Sequence, residues 1–183
     1  MLFRSEKILK KNVLVVGAGI KTGLNIRIDN PAQLGSDLVV DSVAAIVEYP
    51  APLLIFDLGT ANTVCVIDKN KNYIGGMIYP GIGVSLDSLT AHASQLGGIS
   101  IEAPEHMIGK NTTECMKSGL IYSSAAAMDG IIDRLQEQLG GEATVIATGG
   151  LAKKIVPHCR REIILDDDLL LKGLAIIYKK NRK

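Results

Sequence analysis

Charge of one sign is what this 183-residue sequence most plainly lacks: 20 Lys and Arg residues face 19 Asp and Glu residues, for a formal net charge of +1. No strong single-sign field steers such a chain towards nucleic acid or an acidic membrane, so small molecules and other proteins are the expected partners. Cysteine is scarce too. Cys65, Cys115 and Cys159 lie far apart, with no C-x-x-C pair and no histidine at metal-ligand spacing, and they read as reduced thiols. Apolar runs are strand-sized, and the basic start "MLFRSEKILKKN" leads into no signal-type apolar region, so no membrane span is expected. A soluble, cytoplasmic protein is the expectation. No internal repeat or low-complexity linker is visible, and His92, His106 and His158 show no partner pattern, reading as surface residues.

What is present is an apolar chain, 47% hydrophobic and 21% charged, of a length that suits one domain or a small two-lobed one. "VLVV" at 13–16 predicts a buried strand running into the glycine-rich turn "GAGIKTG". Turn residues fill 25–37, and the apolar spacing of 37–49 predicts a helix, closed by Pro50 and Pro52. Three runs, 52–59, 63–70 and 73–81, follow with short polar turns and predict an antiparallel meander. Helical patterns occupy 85–96 and 113–140, "TVIATGG" is a short strand feeding into "LAKKIV", and 166–180 is a terminal helix with acids first and lysines last. Three antiparallel strands, helices, a further strand and a last helix outline one ribonuclease H-like α/β lobe.

Four stretches carry candidate chemistry. In "LLIFDLGT" an apolar strand ends on Asp57, which either caps the turn or holds a cation beside a phosphate that Gly59 and Thr60 receive. "VIATGGLA" places Gly149 and Gly150 between a strand and a helix, as a nucleotide loop or as structural punctuation. "GAGIKTG" has its glycines at 17, 19 and 23, not the dinucleotide-binding spacing, and no acid follows at the end of a next strand. Asp37 in "LGSDLVVD" sits at a helix start, as a first-turn acid or as a carboxylate that orients or deprotonates a substrate hydroxyl.

Taken in order, "VLVVGAGIKTGLNIRIDNPAQLGSD", "FDLGTANT", "GGMIYPGI", "IGKNTTECMKSG", "VIATGGLA" and "LLLKGLAIIY" resemble the type III pantothenate kinases over nearly the whole chain. The resemblance implies ATP-dependent phosphorylation of pantothenate to 4'-phosphopantothenate in coenzyme A biosynthesis, on an acetate and sugar kinase/Hsp70/actin-like fold. It implies ATP with magnesium, a monovalent cation (potassium or ammonium), and a homodimer or a heterodimer with a kinase-like subunit. By motif position Asp37 matches the family's catalytic base, with Gly35, Ser36 and Leu38 as substrate-binding neighbours. Asp57 matches the cation-binding aspartate and Thr60 an ATP-contacting threonine, with Gly59, Gly149 and Gly150 on the nucleotide side. Thr112 matches the threonine that reaches pantothenate across a dimer interface.

The sequence departs from that pattern in three places. The family's own Asp-x-Gly-Asn-Thr hairpin, the main ATP phosphate loop of its first lobe, has no counterpart in these residues. The arginine expected after the catalytic aspartate is Leu38, and the tyrosine expected in the pantothenate pocket is Ile28. The expectation is therefore a short form in which residues 1–50 are the remnant of a first lobe and 51–183 a second, ribonuclease H-like lobe. Such a chain works with a partner that carries the missing loop, or is an inactive paralogue that binds a ligand or a protein.

Overall fold

Apolar residues that alternate along three short neighbouring segments, joined by tight polar turns, can hide only by pairing edge to edge and covering both faces of the sheet. The structure, a computed structural model, describes residues 13–93 and 95–182. Its strands are β1 (Asn25–Ile26), β2 (Leu53–Leu58), β3 (Ala61–Ile67), β4 (Asn72–Pro80), β5 (Thr144–Thr148) and β6 (Ile164–Leu165), and its helices α1 (Ser36–Glu48), α2 (Ile82–His92), α3 (Thr112–Leu139), α4 (Ala152–Ile155) and α5 (Leu169–Asn181). One six-stranded sheet runs in the order β1-β4-β3-β2-β5-β6. β2, β3 and β4 are antiparallel neighbours, β5 lies parallel to β2, β6 parallel to β5, and β1 parallel to β4. This is the ribonuclease H-like lobe expected from the order of elements.

Period-two alternation in β2 sorts its residues between two cores. Leu54, Phe56 and Leu58 join Leu120, Ile121, Ala125, Met128 and Ile132 of α3. Leu53 and Ile55 join Ala44, Ala45 and Ile46 of α1 on the other face. Each of these side chains contributes roughly 1.5–3 kcal/mol on burial, so β2 is the most heavily anchored strand and a rigid base for whatever its tip carries. α3 starts at Asn111, whose side chain accepts from the Glu114 N–H, and stops at Gly140 in the left-handed conformation.

α1 and α5 cross at Gly173, where an added Cβ would overlap the Val40 carbonyl oxygen. Gly173→Ala should therefore push the two helices apart and cost about 1–3 kcal/mol; urea denaturation checks it, and an unchanged midpoint would contradict the backbone contact. At the far end of α1, the Tyr49 hydroxyl donates to Asp166 Oδ2 at 2.8 Å and Lys172 Nζ does so at 2.7 Å. Burial alone would raise the Asp166 carboxyl, but those two donors outweigh it and hold the group below its usual value.

Several expectations need correcting. Residues 13–16 form no strand, and Leu14 and Val15 are 40% and 49% exposed. The helix expected at 85–96 begins earlier, because Gly81 is its N-cap, and ends at His92. β1 and β6, two residues each, owe their extended form to the neighbour they pair with and have no signal of their own. His158 is half-buried, with its ring edge-on to Tyr122 at 5.3 Å, so it is a packed residue and not a free surface one. No helix among the described residues is long and apolar enough to cross a membrane.

Candidate functional site

The sheet brings two loops together that lie far apart in the chain. Asp57 sits opposite Thr63 across the β2–β3 hairpin and beside Thr148 on the parallel partner β5. Gly59 and Thr60 thus turn at the same sheet end from which Gly149 and Gly150 emerge. Gly149 has φ 92°, and a Cβ there would overlap Asp57 Oδ1 and crowd Leu58, so only glycine lets the two turns approach. The Leu151 N–H donates to the Leu58 carbonyl at 3.2 Å and the Gly81 N–H to the Thr60 carbonyl at 3.0 Å, which clamps the hairpin tip from both sides.

The second half of the site is the start of α1. Gly35 is the N-cap, and Asp37 lies in the first turn with its Oδ1 accepting from the Leu38 N–H at 3.0 Å. Gly35, Asp37 and Leu38 line a cavity of about 520 Å³ together with Ile28, Thr63 and Gly76. Ser36 does not share it; it borders a smaller cavity of about 260 Å³ beneath the loop that carries Val16 and Ile20. Thr112 stands apart from both, at the first turn of α3, in an open cleft of about 810 Å³ with Leu89 and Met116. Within this one chain, Thr63 links the two halves, since it lines the cavity with Asp37 and pairs with Asp57 across the hairpin, and Thr112 joins neither.

The carboxylates at this sheet end act on one another electrostatically. Burial, and then the Asp37 charge, raises Asp57 above the ordinary aspartate range. Asp41, one helical turn beyond Asp37 and 2% exposed, is pushed up to about 7, first by burial and then by Asp57, Asp37 and Asp166. Asp41 Oδ1 and Thr63 Oγ1 are buried without a hydrogen-bond partner. Carboxylates thus crowd this sheet end, with the Asp37 charge acting on both Asp41 and Asp57.

Asp57 and the orphaned hydroxyl of its cross-strand partner Thr63 are oxygen donors, the kind that suits a hard cation. Among the described residues no group of three or more His, Cys, Asp or Glu could hold a metal ion. Magnesium needs no such cage, since it commonly keeps its waters and leans on substrate phosphates. Two of the three thiols are held protonated, since burial pushes Cys65 and Cys159 up to about 12.

Asp41, Thr63 and the Gly75–Gly76 pair were missed from the sequence. The signals were there in part: Asp41 stands four residues after Asp37 on one helix face, and paired glycines inside a strand mark a close approach. Nothing local singles out Thr63.

Comparison with known proteins fits this arrangement. A family model described as type III pantothenate kinase matches residues 2–134. The type III pantothenate kinase of an Exiguobacterium species is 45% identical over 179 residues, covering 98% of this chain and 70% of that protein. That of Bacillus cytotoxicus is 46% identical over 176 residues, covering 96% and 67%, and that of Halalkalibacterium halodurans 44% over 185 residues, covering 99% and 73%. This chain therefore spans about two thirds to three quarters of their length. Among solved structures, a conserved protein from Campylobacter jejuni assigned to the Baf transcriptional activators superposes with a TM-score of 0.55 at 22% identity, over 85% of this chain and 68% of that one, a likeness of fold alone. By this family model and these relatives, the chain belongs to the type III pantothenate kinase family, whose reaction is the ATP-dependent phosphorylation of pantothenate on the way to coenzyme A.

Proposed function

We propose that this chain contributes the second lobe of a composite pantothenate kinase, whose partner supplies the ATP phosphate loop that these residues do not contain. The observation that carries the reading is geometric: Thr63 lines the cavity beside α1 together with Asp37, and its cross-strand partner is Asp57, at the sheet end where the turns Gly59–Thr60 and Gly149–Gly150 approach.

In this reading Asp37 accepts the proton of the primary hydroxyl as its oxygen bonds to the γ-phosphorus, and the electrons of the broken P–O bond leave with ADP. Asp57 would hold a monovalent cation, which would offset the negative charge of the nucleotide, and the N–H groups of the two glycine turns donate to phosphate oxygens. Thr112, in its separate cleft, serves the active site of a neighbouring subunit. In this division 51–183 form the second lobe and residues 1–50 are the tail of a first, a tail that packs onto the second lobe's sheet through β1 and α1.

Two surface features support a partner. α5 buries Leu169, Gly173 and Ile177, yet its Leu170, Leu171, Leu174 and Tyr178 form a second stripe that is 40–63% exposed. A helix apolar over most of its girth is normally covered on both sides. The apolar run 13–16 likewise has the composition of a strand and forms none.

The test is turnover on mixing. Purified chain plus a kinase-like subunit bearing the Asp-x-Gly-Asn-Thr hairpin should phosphorylate pantothenate, and Asp57→Asn should cut that rate by about 10²-fold. Activity of the partner that is indifferent to the presence of this chain would refute the composite site.

A further inference from the structure

Among the described residues, none that lines the cavity beside Asp37 carries a positive charge: its charged lining residues are Asp29 and Asp37, and its apolar ones include Ile28, Leu38 and Met77. Of the cations next to lining segments, Lys71 donates from Nζ to the Ile46 carbonyl at 2.7 Å, and Arg27 is not part of the cavity wall. Ile28 and Leu38, ten positions apart, stand in this one cavity at the two places where a tyrosine and an arginine were expected. Both exchanges act in the same sense, since each removes a polar or cationic group and adds a branched aliphatic one.

A free carboxylate entering such a site meets two like charges and no counter-ion, and part of its hydration is replaced by aliphatic surface. An uncharged molecule of the same shape escapes both penalties. We propose that this cavity takes an uncharged primary alcohol of the pantoyl type, with its acid end amidated or reduced, in preference to the free carboxylate. The hydroxyl lies towards Asp37, and the uncharged end lies against Ile28 and Leu38. The proposal rests on the reading of this cavity as the alcohol site.

Titration calorimetry with the purified chain, and with the chain assembled with its partner, should show pantothenyl alcohol binding at least about tenfold more tightly than pantothenate at low ionic strength. Added salt should narrow the gap by screening the repulsion. Leu38→Arg should reverse the preference. Should that variant fail to fold, Asp29→Asn, at an exposed position, should strengthen pantothenate binding several-fold and shift alcohol binding far less. Pantothenate binding as tightly as the alcohol, alone or in the complex, overturns the proposal and leaves the kinase reading standing. Binding of neither compound removes both. A preference that persists at high salt and in Asp29→Asn overturns the electrostatic basis of the proposal.

Discussion

Asp37→Asn should lower kcat of the assembled enzyme by about 10²–10⁴-fold while KM moves by no more than a few-fold. The substitution keeps the size of the side chain, and the amide oxygen can still accept from the Leu38 N–H that Asp37 Oδ1 engages at 3.0 Å. What disappears is the capacity to take a proton. If Asp37 only complemented the dipole at the start of α1, the same change would cost about 0.3–1 kcal/mol of stability and leave turnover alone. The two roles therefore separate in one pair of measurements, single-turnover kinetics and a denaturation curve. A kcat within threefold of the parent would assign Asp37 to the helix and not to the chemistry.

Asp41→Asn should make the protein more stable, by about 2–4 kcal/mol at pH 8, and scarcely change it at pH 4. In the unfolded chain the Asp41 carboxyl titrates near 3.8, and in the fold it titrates near about 7, because burial and the carboxylates of Asp57, Asp37 and Asp166 oppose its charge. Between those two values the folded protein keeps a proton that the unfolded chain has released. Stability contributed by this group is thus present at low pH, falls as pH rises through that window, and levels off above about 7. Asparagine cannot ionise, so the difference between variant and parent should grow across the window. Urea curves at pH 4, 6 and 8 give that difference directly, and a constant offset at all three would show that Asp41 does not carry a raised titration. Any cation held by Asp57 would relieve part of the strain, so added potassium should shrink the effect at pH 8.

Much of the architecture was legible before any coordinates. The meander was readable because alternation, tight polar turns and β-branched residues are all local, and β2, β3 and β4 fall where those signals lie. Long helices announced themselves in the same way, through the spacing of Met116, Leu120, Ile121, Met128 and Ile132 in α3 and the apolar stripe of α1. The strand expected at 13–16 failed for a reason of the same kind seen from the other side: composition marks what a segment can pair with, and no strand among the described residues stands beside it. β1 and β6 were invisible because two residues hold no pattern.

The candidate site was legible as a set of residues and not as a place. Periodicity and turn chemistry operate over a few neighbours, and on that scale the sequence by itself determined the Asp57 hairpin, the glycines that follow β5, the first-turn position of Asp37 and the family to which they point. The parallel pairing of β2 with β5 and the packing of α1 and α5 on the sheet were decided only in three dimensions, by burial that no local pattern encodes. That packing sets Gly149 against Asp57, gathers Ile28, Asp29 and Leu38 around one cavity, turns Ser36 away from it, leaves Thr112 in a cleft of its own, and seals an unpaired Asp41 beneath the two carboxylates.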